Sequence, residues 1–153
     1  MEQMSKKERI ITTLFNREAD RVPVTPDISI MIPTRLTGKP SWDVEYYHSP
    51  SLTEAYIHAA KYFGIDGWMF NGDMDFQRRV KVDVTQRVLT KTAEGMEVQF
   101  IYHTAKGDLS ETVYYPVHNP STKTEKLIKD FEADFPKFKE LFSEVVSLSL
   151  IHI

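Results

Sequence analysis

The sequence predicts an α/β fold with an antiparallel meander inserted over about residues 79–115. Three observations predict it. A helix pattern over Ser51–Phe63 stops at Gly64 and leads straight into the apolar run Ile65–Phe70, which is half of a parallel α/β unit. A first helix pattern, Ser5 to about Arg17, leads in the same way into the β-like stretch Val22–Met31. The pattern then changes: Val80, Val82 and Val84 alternate with polar residues, as do Val98, Phe100 and Tyr102.

Each element has local support. Ser5 and Glu8 have capping-box spacing, and Ile10, Ile11, Leu14 and Phe15 form an apolar stripe at helical spacing. Pro23 and Pro26 confine Val22–Met31 to a sheet edge or to the first strand of a sheet. Pro33, Gly38, Pro40 and Pro50 make residues 33–50 read as an irregular loop. Ser51 and Glu54 repeat the capping box, and Leu52, Ala55, Ala59 and Phe63 share one face. Glu94-Gly95 and Lys106-Gly107-Asp108 are turn signals within the meander, and Val113 and Tyr115 belong to its third strand. A helix is expected from Thr124 to Lys129. Another is expected to be capped by Asp134, with Pro136 in its first turn and Phe138, Leu141, Phe142 and Val145 as its stripe.

Composition narrows the function classes. The 153 residues are 41% apolar and 27% charged with a net charge of -3, the balance of a globular domain without a basic nucleic-acid footprint. The longest apolar runs, such as Trp68-Met69-Phe70, fall far short of the roughly 18 residues that span a bilayer, so no membrane partner is expected. The opening residues carry no signal-peptide core, and a cytoplasmic address is the default. There is no cysteine, which removes disulfides, thiolate zinc sites and cysteine nucleophiles.

The sharpest candidate for chemistry is Asn71-Gly72-Asp73-Met74-Asp75, directly after the expected buried strand. Two carboxylates there suit binding of cations or polar substrate groups, or proton transfer, with Asp73 as the catalytic candidate and Asp75 as a substrate-binding one. Asn71-Gly72-Asp73 also reads as a plain turn with solvated carboxylates. Asp27, late in the first β-like stretch, is a second substrate-binding candidate for a small molecule. Asp20-Arg21 reads as a structural ion pair rather than an anion site. Arg78, Arg79 and Lys81 read as a solvated strand edge. His48, His58, His103, His118 and His152 show no metal-ligand spacing, so no metal site is expected within the chain.

Lys6-Lys7-Glu8-Arg9-Ile10 through Asp20-Arg21-Val22-Pro23-Val24 resembles the opening of the uroporphyrinogen decarboxylase family. Lys61-Tyr62-Phe63-Gly64-Ile65-Asp66-Gly67 resembles that family's second helix and strand. Thr104-Ala105-Lys106-Gly107-Asp108-Leu109 resembles a turn of its methyltransferase-like branch. The resemblance implies the N-terminal part of a (β/α)8 TIM barrel, covering about residues 5–146. It implies one of two activities. One is decarboxylation of uroporphyrinogen in porphyrin biosynthesis, without a cofactor. The other is methyl transfer between a corrinoid protein and a thiol or methoxylated substrate, with zinc. Counted without gaps from Asp66, Asp73 falls where the decarboxylases place an aspartate against the pyrrole nitrogens. The decarboxylases' arginine-rich segment has no counterpart in Asp27-Ile28-Ser29-Ile30-Met31-Ile32, and this favours the methyltransferase-like branch. The family's zinc ligands lie in the later part of its barrel, so the zinc and the corrinoid partner belong to a parent enzyme.

A barrel of this kind needs about 250 residues, which predicts that residues 1–146 are an incomplete, inactive portion. The final Leu148-Ser149-Leu150-Ile151-His152-Ile153 matches a translation of a transposon end used in sequencing libraries. That match predicts a non-native tail over 147–153, with a native apolar tail as the alternative. A standalone, non-enzymatic binding domain is the remaining reading.

Overall fold

The computed structural model describes residues 3–67, 74–78, 81–143 and 145–150. They fall into two units, Met1–Asn71 and Gly72–Ile153, with different construction.

The first unit is helical. α1 (Lys6–Leu14) and α4 (Leu52–Tyr62) start where their capping boxes predict: Ser5 and Ser51 accept from the Glu8 and Glu54 N–H groups, and each glutamate reaches back to its cap N–H. Gly64, at φ +68°, ends the second of these helices in the left-handed conformation that a Cβ disfavours. Residues 33–50, expected to be irregular, contain most of α2 (Met31–Leu36) and all of α3 (Ser41–Glu45). Trp42, Val44, Ala55 and Ala59 form the buried apolar centre of the unit. The stripe of α1 does not join it: Ile11, Leu14 and Phe15 are exposed, Phe15 to 70%, and the buried residue of this helix is Arg9.

The second unit holds two antiparallel sheets. β2 (Asp83–Lys91), β3 (Gly95–Thr104), β4 (Gly107–Pro116) and β5 (Thr122–Glu125) form one sheet in the order β2-β3-β4-β5. β1 (Met74–Arg78) pairs with β6 (Val145–Leu150) in the other. Thr104-Ala105-Lys106-Gly107 makes the β3–β4 turn, with Gly107 at φ +112°. Met96, Val98, Phe100 and Tyr102 lie opposite Tyr115, Val113, Glu111 and Leu109 on one face of the central pair. Met96 and Val98 are fully buried.

These observations overturn the α/β expectation. The fold is α+β, with no TIM-barrel arrangement: α1 to α4 precede the strands instead of alternating with them, and all strand pairs among the described residues are antiparallel. Val22–Ile28 has no regular secondary structure and joins no strand ladder. Pro23 and Pro26 lack N–H donors, and Val24 bonds to Asp66 instead. Ile65–Gly67 is not strand either; residues 68–70, the rest of that expected strand, lie outside the described residues.

The end of the sheet unit also differs from expectation. The helix expected at Thr124 is replaced by β5, where Thr124 donates to the Thr112 carbonyl across the ladder. The next helix, α5 (Phe131–Leu141), is capped by Asp130, which accepts from the Ala133 N–H, and not by Asp134. Pro136 therefore lies inside the helix. The Asp134 carboxylate accepts from the Lys129 and Asp130 N–H groups, which, with Lys137, hold it down to about 2.

Burial predicts the mutational pattern of the sheet. Met96→Ala is expected to lower its unfolding free energy by about 3 kcal/mol through a cavity that β3 and β4 cannot close. Val88→Ala, on the exposed β2, should change it by no more than about 0.5 kcal/mol. Urea denaturation followed by far-ultraviolet circular dichroism measures both.

Candidate functional site

A buried charge cluster organises the first unit. Arg9, 2% exposed, points inward from α1. Its Nε donates to Asp20 Oδ1 at 2.6 Å and its Nη2 to Asp20 Oδ2 at 2.8 Å, a bidentate pair. Nη2 also donates to the Met4 carbonyl, and Nη1 to Asp66 Oδ1. Asp66, whose side chain is 0% exposed, is shared with a second guanidinium: Arg21 Nη1 and Nη2 donate to its two oxygens at 2.7 and 2.9 Å. The Val24 N–H donates to Asp66 Oδ2 at 2.8 Å, and the Asp66 N–H donates back to the Val24 carbonyl at 2.9 Å. Two cations and two anions thus neutralise one another, as burial requires.

The titration behaviour follows from these bonds. Hydrogen bonding to Arg9 holds the Asp20 carboxyl far below the usual carboxylate range, and Asp20 in turn raises the Arg9 guanidinium. Burial pushes Asp66 up, but the bonds from Val24, Arg21 and Arg9 together outweigh it and leave it lowered.

The cluster ties the start of Val22–Ile28 to Asp66. Further along that segment lies Asp27, exposed, with its Oδ1 accepting from the Ser29 N–H at 2.8 Å. That turn holds the carboxylate in place. Burial, and then the charge of Asp27, raise the phenol of Tyr56 on α4.

The other expected residues are placed differently. Asp73 lies outside the described residues. Asp75 belongs to the second unit, on β1 opposite Ser149, within an antiparallel ladder rather than in a loop after a parallel strand. Arg78 ends the same strand, and Arg79 lies outside the described residues. Of the Asp20-Arg21 pair, the Arg21 guanidinium binds Asp66, while the Asp20 carboxylate pairs with the Arg9 guanidinium.

The sheet unit carries two polar groupings that sequence spacing did not reveal. Tyr102 donates to the buried Glu111 at 2.9 Å, and Lys123 lies against the other oxygen of that carboxylate. Burial and Glu111 push the Tyr102 phenol up to about 12. On the opposite face, His103 bonds Thr85 at 2.8 Å and Asp108 at 3.0 Å. Alternation along β3 puts His103 on that face, but its partners come from two other strands.

Zinc does not fit these residues. The chain has no cysteine, and among the described residues no three His, Asp or Glu side chains converge on a point. No helix among the described residues is long and apolar enough to cross a membrane. No family model matches the chain, and no curated protein or solved structure matches it.

Two outcomes follow from the charge cluster. Asp66→Ala leaves Arg9 buried beside a lost partner and is expected to destabilise the first unit by about 3 kcal/mol. Trp42 emission in a Trp68→Phe background, read through urea denaturation, measures this. Acid should have a related effect. Asp20 and Asp66 are lowered in the folded chain, so the unfolded chain binds more protons as pH falls. Their stabilisation is complete above the unfolded carboxylate range and disappears from about pH 5 downwards. The thermal midpoint of the Trp42 signal should drop over that window, and a midpoint independent of pH there would contradict the assignment.

Proposed function

We propose that the chain is the N-terminal part of an enzyme of the uroporphyrinogen decarboxylase family, from the branch that moves methyl groups through a corrinoid protein, with a cytoplasmic address. The supporting observation is the charge cluster. Three bonded residue sets come from the three segments on which the first-unit resemblance rests: Arg9 from Lys6–Ile10, Asp20, Arg21 and Val24 from Asp20–Val24, and Asp66 from Lys61–Gly67. A motif whose members bind one another across 57 positions has a reason to occur as a set.

In this reading the cluster is a scaffold and not a reacting group, because its carboxylate oxygens are already engaged by arginine. The scaffold leads into the segment that carries Asp27, whose exposed carboxylate accepts from a polar group of a small-molecule substrate. The sign of Asp27 also separates the two family activities. A carboxylate at this position repels the acetate side chains of a porphyrinogen, which require cations. These residues supply no zinc ligands, so the metal and the corrinoid protein are assigned to the parent enzyme.

The coding frame at the source locus tests the proposal. A downstream His-x-Cys element and a later cysteine are expected. The protein expressed from that frame should transfer a methyl group from methylcob(III)alamin to a thiol, followed anaerobically by the absorbance of cob(I)alamin. Asp27→Asn should lower that rate about tenfold or more while leaving the Trp42 unfolding transition in place. A frame without those ligands, whose product leaves methylcob(III)alamin unchanged, overturns the reading.

A further inference from the structure

The second unit presents a hydroxyl, an imidazole and a carboxylate in series, on three adjacent strands. His103 on β3 sits directly opposite Asp108 on β4 and opposite Asp83 on β2. Thr85 is two residues beyond Asp83, so it shares that face and lies diagonal to His103. Thr85 Oγ1 is 2.8 Å from His103 Nε2, and His103 Nδ1 is 3.0 Å from Asp108 Oδ1. An ionised carboxylate only accepts, so Nδ1 carries the proton toward Asp108. In the neutral ring Nε2 is then the lone-pair nitrogen, and the Thr85 hydroxyl donates to it. This is the order of roles that activates a hydroxyl nucleophile: attacking oxygen, base, and a group that fixes the base.

The surroundings favour access. The His103 and Asp108 side chains are 43% and 62% exposed, and Thr85 is exposed as well. β2 is an outer strand of its sheet, so alternate backbone N–H groups beside Thr85 face away from the ladder. Such N–H groups are the donors a developing oxyanion needs.

We propose that Thr85 is an acyl-accepting nucleophile toward small activated esters and thioesters, with His103 as its base and Asp108 as the positioning residue. Thr85 Oγ bonds to the acyl carbon while its proton passes to His103 Nε2. The bond from that carbon to the leaving oxygen or sulfur breaks, and the leaving group takes the proton from His103. Water, deprotonated by the same nitrogen, then releases the carboxylic acid and restores the Thr85 hydroxyl. The inference rests on the sheet unit alone and does not depend on the methyl-transfer reading.

The test uses the whole chain with p-nitrophenyl acetate, reading p-nitrophenolate release against an equal concentration of free 4-methylimidazole and locating the acetyl group by peptide mass spectrometry. Acetyl on Thr85 is expected. Thr85→Val and His103→Gln should each lower the rate above the imidazole control by about 100-fold, Asp108→Asn by less, and Thr85→Ser should retain it. Far-ultraviolet circular dichroism verifies that the sheet of each variant is intact, and the serine variant separates loss of the hydroxyl from loss of fold. Acetyl found only on His103 or lysines overturns the proposal, because His103 then acts as a free imidazole. An unchanged rate in Thr85→Val overturns it equally.

Discussion

One fully buried carboxylate, that of Asp66, is bound by two guanidiniums and a backbone N–H. A lone buried anion is strongly disfavoured, so each of these partners is obligatory once Asp66 is inside. Arg9 is obligatory in the same way, and Asp20 neutralises it. The chain from Met4 to Val24 therefore has little choice of path: it must bring α1, the Asp20-Arg21 pair and the start of Val22–Ile28 to the residue just beyond α4. The orientation of α1 follows. Its inward side is chosen by the arginine, and its apolar stripe is left outside.

The sheet unit is held by a different balance. Antiparallel ladders satisfy its backbone, and apolar side chains from β3 and β4 supply the buried face. The carboxylate of Glu111 enters that face paired with Tyr102 and Lys123. Where solvent reaches the sheet, polar side chains pair across strands, and Thr85, His103 and Asp108 form a relay of this kind. One unit thus depends on charge neutralisation and the other on ladder pairing and apolar burial.

In the first unit, residues of three short segments, Arg9, Asp20 with Arg21, and Asp66, bind one another. A strand needs a partner ladder. Val22–Ile28 forms no ladder: Val24 is tied to Asp66, and its two prolines can donate no hydrogen bond. Apolar, β-branched composition is thus compatible with a segment that never becomes a strand.

Interactions between near neighbours were legible from the sequence alone. The two capping boxes, the Gly64 stop, the turn at Lys106-Gly107 and the alternation that makes β3 and β4 all act over a few residues, so their geometry follows from spacing, whereas β2 starts only at Asp83, past most of the alternating Val80–Val84 run. Of the candidate site, Asp27 was legible as a lone carboxylate and His103 as a strand histidine, but neither had a visible partner. Thr85 and Asp108 gain their significance from neighbours on other elements, and β5 arises where a short Thr-rich stretch finds the edge of β4. Sequence by itself determined the local elements and their caps. Tertiary structure decided which side of α1 is buried, which aspartate each arginine neutralises, and whether extended segments pair. Those choices compare contacts between residues far apart in the chain, such as Arg9 and Asp66, and no local pattern encodes that comparison.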